Sequence, residues 1–422
     1  MPNSIALALD GKGDFYTPNV AIDLCHRIIA DITAKCTIQP LLYLYGMLSY
    51  WEQQSFSYYD HIVIGSGIVG LSAAIELKER FPSADVLILE RGLLPTGASS
   101  RNAGFACMGS VTELLADLQT MTEEEVFLLF ESRKKGLERL RHRLGDATIG
   151  YAANGSYELI SSQETGALDK IDYLNQLLLP VTQIPPFKLS SEKIAAFGFS
   201  QSYTTALIEN TCEGELNTGK MLKALLSHAL KAGVMILTGA EVMSFEEVGD
   251  KVMIEVKDPF RNEVLMLHSR TAVFCTNAFT PQFFPDEDVT PGRGQVLITQ
   301  PINGLKFKGV YHFDQGYYYF REIDGRVLLG GGRNLDFEGE TTTTLDLNER
   351  IQLDLETKLQ QIILPGVHFQ IAQRWSGIMA FGATKQPVVK AFSDKVFGAF
   401  RLGGMGVALG SEVAMQLADM VK

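Results

Sequence analysis

Long apolar runs are missing from these 422 residues: none approaches the ~20 needed for a membrane-spanning helix. Cysteine is scarce. Cys25, Cys36, Cys107, Cys212 and Cys275 are far apart, odd in number and without a CxxC pair. Neither a disulfide framework nor a zinc site is expected from such spacing, and a reducing compartment suits it. Positive charge is also short. Lys and Arg total 37 against 49 Asp and Glu, a net charge of −12, the wrong sign for a general binder of nucleic acid or anionic membrane. The opening MPNSIALALDGKGDF breaks at Asp10 before a signal-peptide core forms, so no secretion signal is expected. These absences leave a cytoplasmic enzyme without integral membrane segment, nucleic-acid partner or metal as the expectation.

What is present is ordinary globular composition, 46% apolar and 20% charged. The length allows two to three domains at ~150 residues each. Residues 1–57 are the least informative. Val20, Leu24, Ile28, Ile29 and Ile32 share one helical face. Leu41–Tyr50 is apolar and aromatic, and Met47 is an alternative candidate for the start of the chain.

The clearest signal follows. Asp60–Ile64 reads as a buried strand entering Gly65-Ser66-Gly67-Ile68-Val69-Gly70. A helical pattern then runs to Arg80 before Pro82, and Val86–Leu89 is a second buried strand ending in Glu90. Gly65 permits the turn, Gly67 lets a pyrophosphate approach the backbone, and Gly70 lets helix and strand pack closely. The helix N-terminus offers free N–H groups to phosphates. Glu90, 20 residues after Gly70, is placed for ribose hydroxyls. The acid disfavours the 2′-phosphate of NADP and leaves FAD and NAD open.

Two further stretches bear on that choice. Gly97–Gly104 (GASSRNAG) is a small-residue loop with one Arg and one Asn. Near the far end, a strand over Val396–Arg401 leads into Leu402–Gly410 (LGGMGVALG) and a helix expected over Ser411–Val421. A second glycine turn at a helix N-terminus suits a long cofactor whose other end gains negative charge on reduction, such as a flavin.

Together, IVIGSGIVGLSAAIEL, LILERG, GASSRNAG, ELNTGKMLKALLSHALKAGV, VFCTNAF and RLGGMGVALGS resemble the D-amino-acid-oxidase-like family of FAD-dependent oxidoreductases. That group includes glycine oxidase, sarcosine oxidase and gamma-glutamylputrescine oxidase. The resemblance covers about residue 58 to the end. It implies FAD held by Gly65, Gly67, Ile68, Val69, Gly70, Glu90 and Arg91; Cys107 is a candidate tether, but free cysteines are more often buried and inert, so noncovalent FAD is expected. It places Ser99, Arg101, Asn102, Ala103 and Gly104 along the pyrophosphate and flavin, and Val242 at the adenine. Thr276 and Asn277 fall near the ADP half, and Gly403, Gly404, Met405, Gly406, Val407 and Ala408 at the isoalloxazine.

The fold class expected is α/β: a Rossmann-like FAD-binding domain with a discontinuous, mainly antiparallel-sheet substrate domain, a glutathione-reductase/PHBH-like FAD-binding architecture. After an extension over 1–57, the FAD-binding domain takes 58–150, 205–242, 268–290 and 390–422. The substrate domain takes 151–204, 243–267 and 291–389. Helices are expected over Met221–Lys231 and Asn348–Ile363. Strands are expected over Val234–Leu237, Glu241–Glu247, Lys251–Val256, Val264–His268, Val296–Thr299, Tyr317–Arg321 and Arg326–Leu329.

By the same resemblance the substrate lies over the flavin, walled by the second domain. The candidates are His312, the run Tyr317-Tyr318-Tyr319, Arg321, Arg333 and the segment Trp375–Lys385, which contains Met379. Tyr317 and Tyr319 share one face of a strand, Tyr318 and Phe320 the other. Either pair is able to line a pocket. Arg333, after three glycines, is a candidate anion clamp. Amino-acid-oxidising relatives usually carry an Arg after a Trp-x-Gly element. Here Trp375-Ser376-Gly377 leads to Ile378-Met379, which favours an amine, a polyamine derivative or an N-substituted compound. The expected reaction is C–N oxidation, with O2 or another acceptor taking the electrons. The alternatives are a 2-hydroxy acid or polyol dehydrogenase serving a quinone, and a non-catalytic flavin-binding protein.

Overall fold

The computed structural model describes residues 48–422. The helical face expected near Val20–Ile32 and most of Leu41–Tyr50 lie outside the described residues. In chain order the elements used below are α1 (Tyr50–Phe56), β1 (Tyr58–Ile64), α2 (Ile68–Arg80), β2 (Val86–Glu90) and α3 (Glu123–Leu144). Then come β3 (Ser156–Ile160), β4 (Phe187–Leu189), β5 (Ala206–Asn210), α4 (Thr218–Lys231), β6 (Met235–Thr238), β7 (Glu241–Val248), β8 (Lys251–Asp258) and β9 (Glu263–Phe274). The remainder are β10 (Thr290–Thr299), β11 (Val310–Phe313), β12 (Tyr318–Ile323), β13 (Arg326–Gly331), α5 (Glu349–Lys358), β14 (Ile371–Phe381), β15 (Val388–Ala391), β16 (Val396–Phe400) and α6 (Gly406–Met420).

Two eight-stranded sheets organise them. The first runs β15-β16-β9-β1-β2-β6, with β8 on β9 and β7 on β8. Its centre, β16-β9-β1-β2-β6, is parallel. β1 and β2 are near-continuous buried apolar runs, as parallel strands covered on both faces require. α2, α3, α4 and α6 contribute to the apolar core on one face of this sheet. The second sheet runs β14-β10-β13-β12-β11-β3-β5-β4 and is antiparallel except where β11 meets β3. α5 covers it, setting Ile351 and Leu355 against Tyr318, Phe320 and Leu329.

Sheet membership departs from expectation in two places. Residues 243–267, assigned above to the substrate domain, hydrogen-bond into the first sheet. β9 is one twelve-residue strand whose early part pairs antiparallel with β8 while its later part runs parallel to β1. The hairpin is thus an extension of a central strand. Conversely β5, inside the span 205–242 assigned to the cofactor domain, pairs with β3 and β4 in the second sheet.

The last helix also starts earlier than expected, at Gly406 rather than Ser411. Its glycines mark close approach. A Cβ on Gly410 would stand 2.6 Å from Ile68 Cγ2, and one on Gly136 of α3 would stand 2.1 Å from the Ala408 carbonyl oxygen. The expected helix Asn348–Ile363 is α5 followed by a π turn over Leu359–Ile363, with Asn348 as its N-cap. The Asp324-Gly325 turn has both residues at positive φ, 51° and 72°, as a tight hairpin with the right twist demands.

Candidate active site

β1 enters its turn at Gly65, whose φ of +102° suits glycine. A Cβ on Gly70 would lie 1.9 Å from the Gly65 carbonyl oxygen, so only hydrogen fits there. No side chain caps the start of α2, although the Ile68 N–H donates to Ser99 Oγ at 2.9 Å. Gly67 faces Ser99 as well, so the small residue there also clears space for the Gly97–Gly104 loop. Glu90, at the end of β2, accepts from the Ser66 N–H at 3.0 Å, the Ser66 hydroxyl at 2.7 Å and the Gly92 N–H at 2.9 Å.

These elements open onto one cavity of about 750 Å³, large for a ligand pocket. Gly65, Gly67, Ile68, Val69, Glu90, Arg91, Ser99, Arg101, Asn102, Ala103 and Val242 line it at one side. Thr276, Asn277, Gly403, Gly404, Met405, Gly406, Val407 and Ala408 complete that side. Gly70 and Gly104 do not line it; they shape the turns behind it. Asn102 also braces its own loop, because its Oδ1 accepts from the Gly104 N–H and the Thr218 hydroxyl, both at 2.8 Å. Asn277 has φ +47° and accepts from the Arg401 N–H at 3.1 Å. Arg101 donates to the Ser376 and Thr96 carbonyls, and Trp375 Nε1 donates to the Arg101 carbonyl at 3.0 Å. The Trp375 element therefore anchors the loop.

The second sheet and its loops supply more of the lining, and β14 meets the second glycine turn directly, where the Gly403 N–H donates to the Ala380 carbonyl at 3.0 Å. His312, Tyr317, Tyr319, Arg333, Met379 and Lys385 all line the cavity. The tyrosine alternation resolves in one direction. Tyr318 is 1% exposed, stacks on Phe313 at 5.0 Å and donates to Asp354 at 2.6 Å, while Phe320 stacks on Tyr311 at 4.6 Å. Tyr319 faces the cavity, edge-on to Phe105 at 5.6 Å, and burial pushes its hydroxyl up to about 12. Arg321 does not reach the cavity. Its Nη1 donates to the carbonyls of Ala103, Gly104 and Leu216 and its Nη2 pairs with Glu215, so it clamps the loop to the second sheet.

Arg333 differs. Its guanidinium lies 4.3 Å above the Phe381 ring and 5.1 Å from Phe337. Its Nε is buried without a partner, and no ion pair to it is seen among the described residues. Burial pulls its pKa below the ordinary value. Lys385 by contrast is paired with Asp117. Phe381, within the candidate segment Trp375–Lys385, lines the cavity too, while sequence reasoning missed Phe105, Glu113 and Asp117. No local motif marks them. Glu113 is held below the usual carboxylate value: burial opposes this, but His312, the Ser110 N–H, Lys385 and Arg133 outweigh it.

The residues fit a long flavin nucleotide. Cβ atoms on Gly403, Gly404 or Gly406 would meet nothing within 4 Å, leaving open room at the uncapped start of α6. The start of α2 opens on the same cavity. A family model described as "FAD dependent oxidoreductase" (DAO) matches residues 60–420. The chain belongs to this family. It is a FAD-dependent oxidoreductase, and FAD is its cofactor. Among curated proteins it is similar to the probable oxidoreductase OrdL of Haemophilus influenzae, 21% identical over 83% of this chain and 80% of that protein. Among solved structures it is similar to L-proline dehydrogenase from P. horikoshii: TM-score 0.69, 18% identity, covering 86% of this chain and 93% of that one. Glycine oxidase from Geobacillus kaustophilus is similar too, with TM-score 0.69, 18% identity and coverage of 87% and 96%. These structural likenesses show the fold. No helix among the described residues is long and apolar enough to cross a membrane.

Proposed function

We propose that this enzyme oxidises the C–N bond of an amine or N-substituted amino compound that also carries an anionic group. The observation that carries the reading is the lining contributed by the second sheet and its loops: aromatic Tyr317, Tyr319 and Phe381, apolar Met379, and one guanidinium without an ion pair among the described residues, Arg333. A half-buried cation with no ion pair favours a carboxylate or similar anion, bound through charge-assisted hydrogen bonds. Arg333 would hold that end, while Tyr317, Tyr319 and Met379 orient the carbon bearing nitrogen and exclude water. The division of labour follows the two sheets, a cofactor-binding part on the first and a substrate-binding part on the second.

FAD supplies hydride acceptance at its N5 and return of the electrons to an external acceptor. The substrate loses a hydride from carbon and a proton from nitrogen. The resulting imine takes up water and releases a carbonyl compound with ammonia or a smaller amine. With O2 as acceptor, one H2O2 forms per substrate. The roles given above to Gly65–Gly70, Glu90, the Gly97–Gly104 loop, Val242, Thr276, Asn277 and Gly403–Ala408 in holding FAD are part of the same proposal.

The test is anaerobic titration of the flavin-loaded protein with amines, amino acids and N-substituted carboxylates. Bleaching of the flavin bands, reversed by air with equimolar peroxide, is the expected outcome. Bleaching by 2-hydroxy acids alone overturns the C–N reading. Reoxidation by a quinone but not by air overturns O2 as the acceptor.

A further inference from the structure

Three buried side chains meet at the wall of the cavity beside Phe105. Cys107, Glu213 and His312 come from distant parts of the chain, and a ligand-type atom of each lies within 4.8 Å of the other two. Their residues are 3%, 2% and 6% exposed. Cys107 and His312 face the cavity. Among the described residues, His312 Nε2 is buried with no hydrogen-bond partner. Buried imidazole nitrogens ordinarily have one, so an orphan inside a cluster of ligand-type atoms points to a missing Lewis-acidic partner. Glu213 is already oriented, because its Oε1 accepts the N–H of Met108 and the N–H of Gly109. The Met108 carbonyl is fixed in turn by Arg133 Nη1 at 2.6 Å.

We propose that Cys107, Glu213 and His312 bind one divalent transition-metal ion of the zinc type, with its fourth position open to the cavity. A thiolate, an imidazole and a carboxylate form the mixed S, N, O set that such a borderline ion takes. Around a tetrahedral ion with bonds of about 2.0–2.3 Å, ligand atoms sit roughly 3.3–3.8 Å apart, so from separations within 4.8 Å the three side chains close by up to about 1–1.5 Å. Three protein ligands and an open position is the arrangement of a site that receives a further ligand, here a substrate carboxylate or amine. On binding, a metal–sulfur bond replaces the Cys107 S–H bond and the proton leaves to solvent. The ion would also tie the Phe105–Ala106 segment and the Glu213 loop to β11. The proposal goes beyond the amine reading and stands whichever substrate is oxidised. It also departs from the expectation drawn from cysteine spacing, since ligands at 107, 213 and 312 leave no spacing motif.

The test uses the flavin-loaded full chain, stripped with a chelator, dialysed and titrated with Co2+, read as a difference spectrum so that the flavin bands cancel. The expected result is a thiolate-to-cobalt charge-transfer band that saturates at one equivalent per chain. It should vanish in Cys107→Ser, and His312→Gln should weaken Co2+ binding at least tenfold. A band that persists in Cys107→Ser places the ion on another cysteine and overturns the proposal. So does absence of any band in wild-type protein that retains its flavin. Should Cys107→Ser lose its flavin on purification, His312→Gln and Glu213→Gln decide: unchanged Co2+ affinity in both overturns the site. Zinc content of wild-type protein purified with zinc present is a reading that needs no variant. About one ion per chain is expected, and less than about a tenth overturns it.

Discussion

Arg333 and Glu90 show how differently two charged residues are used along one cavity. Glu90 accepts two hydrogen bonds from Ser66 in the glycine turn and one from Gly92 in its own turn, so its placement is settled before any ligand arrives. Arg333 is half-buried, lies over Phe381 and has no seen counter-ion. Replacing Arg333 with Met should raise KM for an anion-bearing substrate about 10- to 100-fold, since a hydrogen bond to a charged group contributes ~1.5–3 kcal/mol. The flavin spectrum should be unchanged, and steady-state kinetics beside that spectrum check both. Glu90→Ala should weaken FAD retention by a similar factor, read by the flavin released on gel filtration. The glycines and Glu90 were legible because turn, helix start and strand end are local chemistry. The Tyr317–Phe320 alternation was legible as two faces, but which face meets the cavity depends on Phe313 and Tyr311, which stack against Tyr318 and Phe320. Arg321 was misread as a substrate candidate for the same reason. Its carbonyl partners at 103, 104 and 216 are set by tertiary packing.

At the level of elements, helices and strands of strong periodicity were legible, and elements with mixed allegiance were not. β9 pairs antiparallel at one end and parallel along the rest, which no local pattern encodes. The start of α6 was hidden because Gly406 and Gly410 read as turn residues, while in the structure glycines let α6 approach α2 and α3. Gly136→Val should therefore be strongly destabilising, about 1–3 kcal/mol or more from overpacking against Ala408, visible as a lower chemical-denaturation midpoint. A second element-level device is the buried pair Arg293–Glu340, joined at 3.0 and 2.8 Å, with Gln295 and Asn348 also donating to Glu340. Burial works against the charged carboxylate, but those hydrogen bonds win and hold Glu340 below its ordinary value of 4.5. A carboxyl with a lowered folded pKa contributes stability that is present above its unfolded value and is lost as pH falls through the folded one. Thermal melting should decline below about pH 4.5 more steeply in wild type than in Glu340→Gln. At neutral pH that variant should be less stable by ~3–5 kcal/mol, because Arg293 is left buried and unpaired.

Across the whole molecule, the two sheets are joined where Arg321 grips the Gly97–Gly104 loop and Trp375 bonds to Arg101. The proposed cofactor loop and the proposed substrate wall are thereby linked in position. Arg321→Met should lower flavin occupancy and substrate affinity together, although Arg321 does not line the cavity. Fluorescence of released flavin and KM for the best bleaching amine report the two effects. The two-sheet plan was legible from the order of strand and helix patterns. Part of the cavity lining was not, because Phe105, Glu113 and Asp117 reach it from segments without any motif.

The parallel order β16-β9-β1-β2-β6 places the opening glycine turn beside a turn and helix that begin 341 positions later, at Gly406. During synthesis at ~5–20 residues per second, the first half of the proposed cofactor cradle therefore waits roughly 20–70 s for its second half. Until α6 leaves the ribosome, the apolar faces of α2 and α3 that it covers stand open. A nascent chain arrested before residue 406 should bind chaperones and no flavin, and release past residue 420 should let it take up FAD.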